Sequence, residues 1–252
     1  MNLFDIFSNI EKVDAEAADR FSFYNRRHVL KFGAKATALA ALPTFFSSVV
    51  NKAYAALPNA TEVLKYALTL EYLEDAFYKK GLATSGLIPS MDRAIFAQIS
   101  KHEDAHVKLL QGALAQLNVT VAMPTFDFGP AFDNYQNFLV YSQSFEDLGV
   151  RAYKGQAGVL KQTDYLTVAL QIHSVEARHA AMVRALRGDK GWIQGNSSGN
   201  AVKEVYAGEE VVKQAGVYIG GLPGQTDNSA SEAFDEPLDE KAVLALAGLF
   251  IK

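Results

Sequence analysis

The chain has 252 residues, of which 49% are hydrophobic and 21% charged, and carries a formal net charge of −4 at pH 7. This composition fits one main globular domain with a sizeable core, and the lack of any block of Lys or Arg beyond pairs argues against a nucleic-acid surface. Cysteine is absent, which excludes disulfides, thiolate metal sites and cysteine nucleophiles.

The first element has the layout of an export signal. The run Asn25-Arg26-Arg27-His28-Val29-Leu30-Lys31 precedes an apolar stretch from Phe32 to Val50 and then Ala53-Tyr54-Ala55, a small-x-small cleavage pattern. The paired arginines followed by Val-Leu-Lys resemble the twin-arginine pattern, with Asn25 and Val29 in place of the usual Ser/Thr and Phe. Lys35 and Pro43 set the stretch apart from a membrane anchor, which prefers about 20 clean apolar residues. Residues 1–55 are therefore expected to be a leader and signal. The processed protein would be periplasmic or extracellular, without a stable membrane span.

Four long segments with helical periodicity follow, within 56–188. Asn59, with Glu62 three residues later, resembles a capping box opening a helix that runs to about Ala83. Gly86 and Pro89 break the chain, and Ser90 can cap a second helix to about Leu117. A third helix is expected over about Ala131 to Lys154, and a fourth from a cap at Thr163 to Gly188. Short links within each pair favour antiparallel neighbours. The stretch 118–130, which contains Pro124, Gly129 and Pro130, shows no helical pattern. Extended, it reaches roughly 43 Å, more than the roughly 36 Å length of a 24-residue helix, so it can cross the whole bundle. The expected fold is all-α, a four-helix bundle of two helical hairpins joined by one long crossover. Residues 189–252 form an extension, irregular to about 236 and tethered by Trp192 and a few apolar positions. A short helix is expected near the C-terminus.

Polar residues interrupt the inward faces of these helices at matched depth. In helix two, Glu103 and His106 sit on the stripe of Ile95, Ile99, Leu110, Ala113 and Leu117. Helix four repeats the Glu-x-x-His spacing with Glu176 and His179, His179 being aligned with Ile172, Val175 and Met182. "LEYLEDAFY" in helix one aligns with "FEDLGVRAY" in helix three, pairing Glu71 with Glu146 and Tyr78 with Tyr153. Each half thus reads Glu, then Tyr, then Glu-x-x-His after about thirty residues, a duplicated hairpin. The alignment places Glu74 and Asp75 against Gly149 and Val150, which favours Glu71 as the chemically important acid of helix one. Glu74 is expected to face solvent, while Asp75 could support the site. Four buried carboxylates and two imidazoles meeting at one level would be prohibitive without counter-charge, since burying one unpaired charge costs several kcal/mol. Two divalent transition-metal ions, iron or manganese, would balance them.

The segment from about Ala60 to Arg187 resembles the ferritin-like superfamily. "LTLEYLEDAFY" and "KHEDAHVKLL" are similar to exported ferritin-like domain proteins related to the desiccation-associated branch of plants. The resemblance implies bridging roles for Glu103 and Glu176, terminal roles for Glu71 and Glu146, and one imidazole per metal from His106 and His179. No cysteine-ligated rubredoxin centre is present, and the C-terminal extension is unlike a cage-forming ferritin. His102 is expected to point about 100° away from Glu103, onto the surface. For His173 a supporting hydrogen bond and plain core filling both remain open; Tyr78 and Tyr153 could hydrogen-bond ligand carboxylates or mediate one-electron chemistry, although packing is the commoner fate of such tyrosines. Three functions fit: redox chemistry on dioxygen or peroxide of the peroxidase, catalase or ferroxidase kind, metal sequestration or stress protection without turnover, and a metal-free structural bundle. An oligomer is compatible with all three.

Overall fold

The computed structural model describes residues 58–197 and 201–252, so the expected leader and signal lie outside it. The described residues contain α1 (Pro58–Ala83), α2 (Arg93–Gln116), α3 (Tyr135–Gln156), α4 (Tyr165–Leu186), α5 (Asp227–Ser231) and α6 (Glu240–Ala247). They also contain a small antiparallel hairpin of β1 (Lys213–Gln214) and β2 (Val217–Tyr218). α1 packs on α2, α3 on α4, and α1 also lies against α3. Among the described residues no helix is long and apolar enough to cross a membrane.

The helix boundaries differ from the expected ones for local reasons. α1 begins at Pro58, where a proline in the first turn sacrifices no helical hydrogen bond, so Asn59 is already inside it. The residues flanking α2 and α4 are Asp92 and Asp164 rather than Ser90 and Thr163, and neither aspartate makes a side-chain cap. The Thr163 hydroxyl is occupied one turn back, donating to the Leu160 carbonyl at 2.7 Å. α3 starts four residues later than Ala131. Gly129–Phe132 forms a 3-10 turn, and Asn134, in extended conformation, then accepts from the Asn137 amide at 2.8 Å.

Two apolar clusters fill the bundle, and the polar layer lies between them. The first contains Phe77, Tyr78, Phe96, Ile99, Phe138, Phe145 and Val183, and the second Val63, Leu68, Val107, Leu110, Tyr165 and Ile172. Glu103 falls between Ile99 and Val107 on α2, and Glu176 between Ile172 and Val183 on α4. α1 and α4 therefore run from the second cluster to the first, and α2 and α3 run the other way. A chain leaving α2 at the second cluster must travel the bundle's length to enter α3 at the first. Val119 and Val121 pack on the second cluster, Phe126 touches both, and Phe128 belongs to the first, so the crossover takes that route. Phe77 stacks on Phe138 with ring centroids 5.0 Å apart and meets Tyr78, Phe128 and Phe145 edge-on. Phe77→Ala is expected to cost about 3–5 kcal/mol, because so enclosed a ring leaves a cavity that cannot collapse. A urea midpoint shift checks it.

The extension is better tethered than its composition suggests. Its last strand-like residues pair with the crossover: the Asp127 backbone amide donates to the Phe250 carbonyl at 2.8 Å and the Lys252 backbone amide to that of Thr125 at 2.9 Å. α6 begins with Asp239 accepting from the Ala242 amide, as its acidic start implied. The anchor is not Trp192, which is half exposed and donates to Glu232 at 3.0 Å. Ile193, Val205, Tyr206 and Glu209 are buried instead. Arg151 of α3 reaches out to pair with Glu209 at 2.8 Å and donates to the carbonyls of Glu236, Val205 and Ala207.

Candidate metal centre

The expected six residues come together. Glu71 (α1), Glu103 and His106 (α2) and Glu176 (α4) form one group, and Glu103, Glu146 (α3), Glu176 and His179 (α4) a second, with one ligand atom per residue inside 4.8 Å of the others. Glu103 and Glu176 belong to both groups, while Glu71 with His106 and Glu146 with His179 belong to one each. This arrangement follows from helix periodicity: Glu and His three residues apart point to one side of a helix, and two such helices face each other across the bundle. All four glutamates are at most 1% exposed.

Both imidazoles turn Nδ1 inward. His106 Nδ1 lies 3.2 Å from Glu71, 3.1 Å from Glu103 and 3.1 Å from Glu176. His179 Nδ1 lies 3.0 Å from Glu103, 3.2 Å from Glu146 and 3.5 Å from Glu176. One N–H cannot serve three carboxylates. Accordingly Glu103 Oε1 and both Glu176 oxygens, on the two shared acids, are buried without a hydrogen-bond partner. A buried acceptor in that condition costs about 1–3 kcal/mol or more. Hard oxygen donors plus imidazole nitrogens, with lone pairs left over at the centre, suit Fe or Mn ions, so the donor set fits such a group.

Each outer acid is held by a tyrosine from the opposite half. Tyr78 donates to Glu146, and Tyr153 donates to Glu71. Both phenols are buried, and burial together with those carboxylates holds them in the protonated, donating form. Of the readings open for these tyrosines, hydrogen bonding to the cluster's carboxylates is the one seen, alongside packing.

The electrostatics predict a pH dependence for the protein stripped of cations. Burial, reinforced by the charges of Glu176 and Glu103, pushes Glu71 from the ordinary 4.5 up to about 8, and burial raises Glu146 as well. A carboxyl raised in the fold binds more protons folded than unfolded, so these groups make stability fall as pH rises from about 4.5 to about 8. Glu176 goes the other way. Burial opposes its ionisation, but the adjacent His106 and His179 pull it down to about 2. Its contribution is present above 4.5 and is lost as pH falls towards 2. A melting temperature for chelated protein that peaks near pH 4.5 and declines towards pH 8 is the expected result.

Glu74, His102 and Met182 differ from expectation, and His173 and Asp75 take one of the roles left open. Glu74, expected in solvent, is buried beside the acids. Burial and then the charges of Glu176, Glu146 and Glu71 push it well above the usual carboxylate range, favouring its neutral form. Space for it comes from Gly149, where a Cβ would stand 3.2 Å from Glu74 Oε1. The absence of an acid at the equivalent position therefore makes room for one here. Its spacing from Glu71 is the helical repeat that marks a shared face, a signal the alignment of the two halves hid. His102, expected on the surface, is half-buried with Nδ1 2.8 Å from His179 Nε2. His173 bonds the Val150 carbonyl at 2.9 Å and stays outside the cluster, while Asp75 pairs with Lys79 at 2.8 Å. Met182 is 45% exposed and does not share the inward face of His179.

A family model described as ferritin-like domain matches residues 59–189. No curated protein matches the chain. The matched segment spans the four long helices and every residue of the acid and imidazole cluster, and the chain belongs to the ferritin-like domain family.

Proposed function

We propose that this ferritin-like domain holds two divalent transition-metal ions, iron or manganese, and uses them for redox chemistry on dioxygen or hydrogen peroxide in stress protection. The carrying observation is the pair of four-residue groups that share Glu103 and Glu176, three of whose four buried oxygens lack a hydrogen-bond partner. Glu71 and His106 would hold one ion, Glu146 and His179 the other, and Glu103 and Glu176 would serve both. Such ions supply one-electron redox capacity and Lewis acidity when bound. The chain's own contribution is positional. Tyr78 and Tyr153 fix the outer acids, the apolar clusters above and below exclude water, and His106 presents the most exposed edge of the cluster, its side chain being 11% accessible. A small oxidant fits that edge better than a bulky organic substrate.

The arginine pair and the small-x-small motif support export and a mature start at Ala56, which intact-mass measurement of the secreted protein checks. Activity is tested by following peroxide and dioxygen consumption by the metal-loaded protein. Consumption that disappears in Glu103→Ala is expected. Two bound ions with no consumption of either oxidant would mean sequestration without turnover.

A further inference from the structure

The two imidazoles of the centre are not equivalent, and the difference lies outside the six clustered residues. His179 offers Nδ1 to Glu103, Glu146 and Glu176, and its far nitrogen, Nε2, meets His102 Nδ1 at 2.8 Å. The two rings lie edge to edge in nearly one plane, with centroids 5.1 Å apart and planes 10° from parallel. His102 is in turn held from the other side, its Nε2 lying 2.8 Å from the Gln98 side-chain amide. Oxygen and nitrogen of that amide exchange by a flip, and with its oxygen inward Gln98 accepts from His102 Nε2–H. The hydrogen bonds then have a single consistent direction: His179 Nε2–H to His102 Nδ1, and His102 Nε2–H to Gln98. A histidine that gives its Nδ1 lone pair to a cation carries its hydrogen on Nε2, the tautomer this chain selects.

The duplication supplies no second copy of the device. Glu103 aligns with Glu176, so the residue equivalent to His102 in the other half is Val175, which has no polar side-chain atom. Glu103, His106, Glu176 and His179 obey the pseudo-twofold relation of the halves, and His102 breaks it.

We propose that His102 is a positioning residue for one half of the centre: it fixes the ring and tautomer of His179, so that the ion held with Glu146 and His179 binds more tightly than the ion held with Glu71 and His106. This rests on the metal-centre reading above. The residue touches no reacting atom and acts only through His179. Loss of a hydrogen-bond partner behind a ligating imidazole costs about 10–100-fold in metal affinity.

The test is a calorimetric titration of chelated full-length protein with Co2+, a redox-silent probe, in wild type, His102→Phe and His102→Asn. Phenylalanine keeps an aromatic ring at the position and removes the acceptor, whereas the asparagine oxygen occupies roughly the place of Nδ1. Expected are two ions in wild type, and two in His102→Phe with one step weakened about tenfold or more and the other unchanged. His102→Asn should return the weakened step close to wild type, a rescue that a merely space-filling role would not give. Unchanged binding in His102→Phe, or equal weakening of both steps, would overturn the proposal while leaving the metal centre standing. A wild type that takes up no Co2+ would remove the metal centre itself, and the proposal with it.

Discussion

Chelation of the metal-loaded protein is expected to lower its melting temperature by about 15 °C or more. One ion at a thousandfold excess over its Kd contributes about 4 kcal/mol, and in a domain of this size each 1 kcal/mol moves Tm by about 2–4 °C, so two ions reach that figure. The structural reason is the state the cluster is left in. Four glutamates at most 1% exposed converge on two imidazoles, and three oxygens of Glu103 and Glu176 have no hydrogen-bond partner. Variants divide by position in the cluster. Glu103→Ala and Glu176→Ala remove an acid shared by both groups and should abolish uptake of both ions, whereas Glu71→Ala and Glu146→Ala should each leave one. Equal melting of loaded and chelated protein would show that the acids tolerate burial without cations.

The second large effect is expected far from the centre, at Arg151. Its guanidinium is 1% exposed, pairs with the fully buried Glu209 at 2.8 Å and donates to three backbone carbonyls of the extension. Arg151→Ala strands that carboxylate and those carbonyls together, at about 3–5 kcal/mol. Burial, opposed by Arg151, already lifts Glu209 to about 7. A raised carboxyl pKa makes the folded state the stronger proton binder, so the loss should be larger at pH 8 than at pH 5. Urea unfolding at both values measures it, and limited proteolysis should cut the extension before the bundle. The double variant Arg151→Met/Glu209→Leu should recover only part of the stability, because it removes the stranded carboxylate but leaves the three carbonyls, and the Glu236 amide that donates to Glu209, without their partners. A single variant as stable as wild type would mean that the extension is not held by this residue.

The parts of this molecule legible in the sequence are those governed by periodicity and by duplication. Helical spacing placed Glu103 with His106 and Glu176 with His179 on inward faces, and the repeat picked Glu71 and Glu146 from several acids. The length of the link between helices two and three set the crossover. The same repeat misled wherever the halves differ. Gly149 is no acid, yet its missing side chain is what admits Glu74. His102 lies off the inward stripe by angle, but a long ring on a neighbouring helix position reaches across to α4, and angle alone does not measure reach. Cap positions were missed because local hydroxyl bonds, such as Thr163 to Leu160, compete with capping. In the extension nothing is periodic. Its anchoring by Arg151, Tyr206 and Glu209 depends on pairings between residues more than fifty positions apart, as with Arg151 and the Val205 carbonyl, whose sequence separation is 54.

The most direct measurement is elemental mass spectrometry on protein purified from its native compartment without reconstitution. Close to two iron or manganese ions per chain is the predicted result. Protein that carries no transition metal, and takes up none when iron or manganese is supplied, would contradict a cluster whose buried charge is balanced by cations.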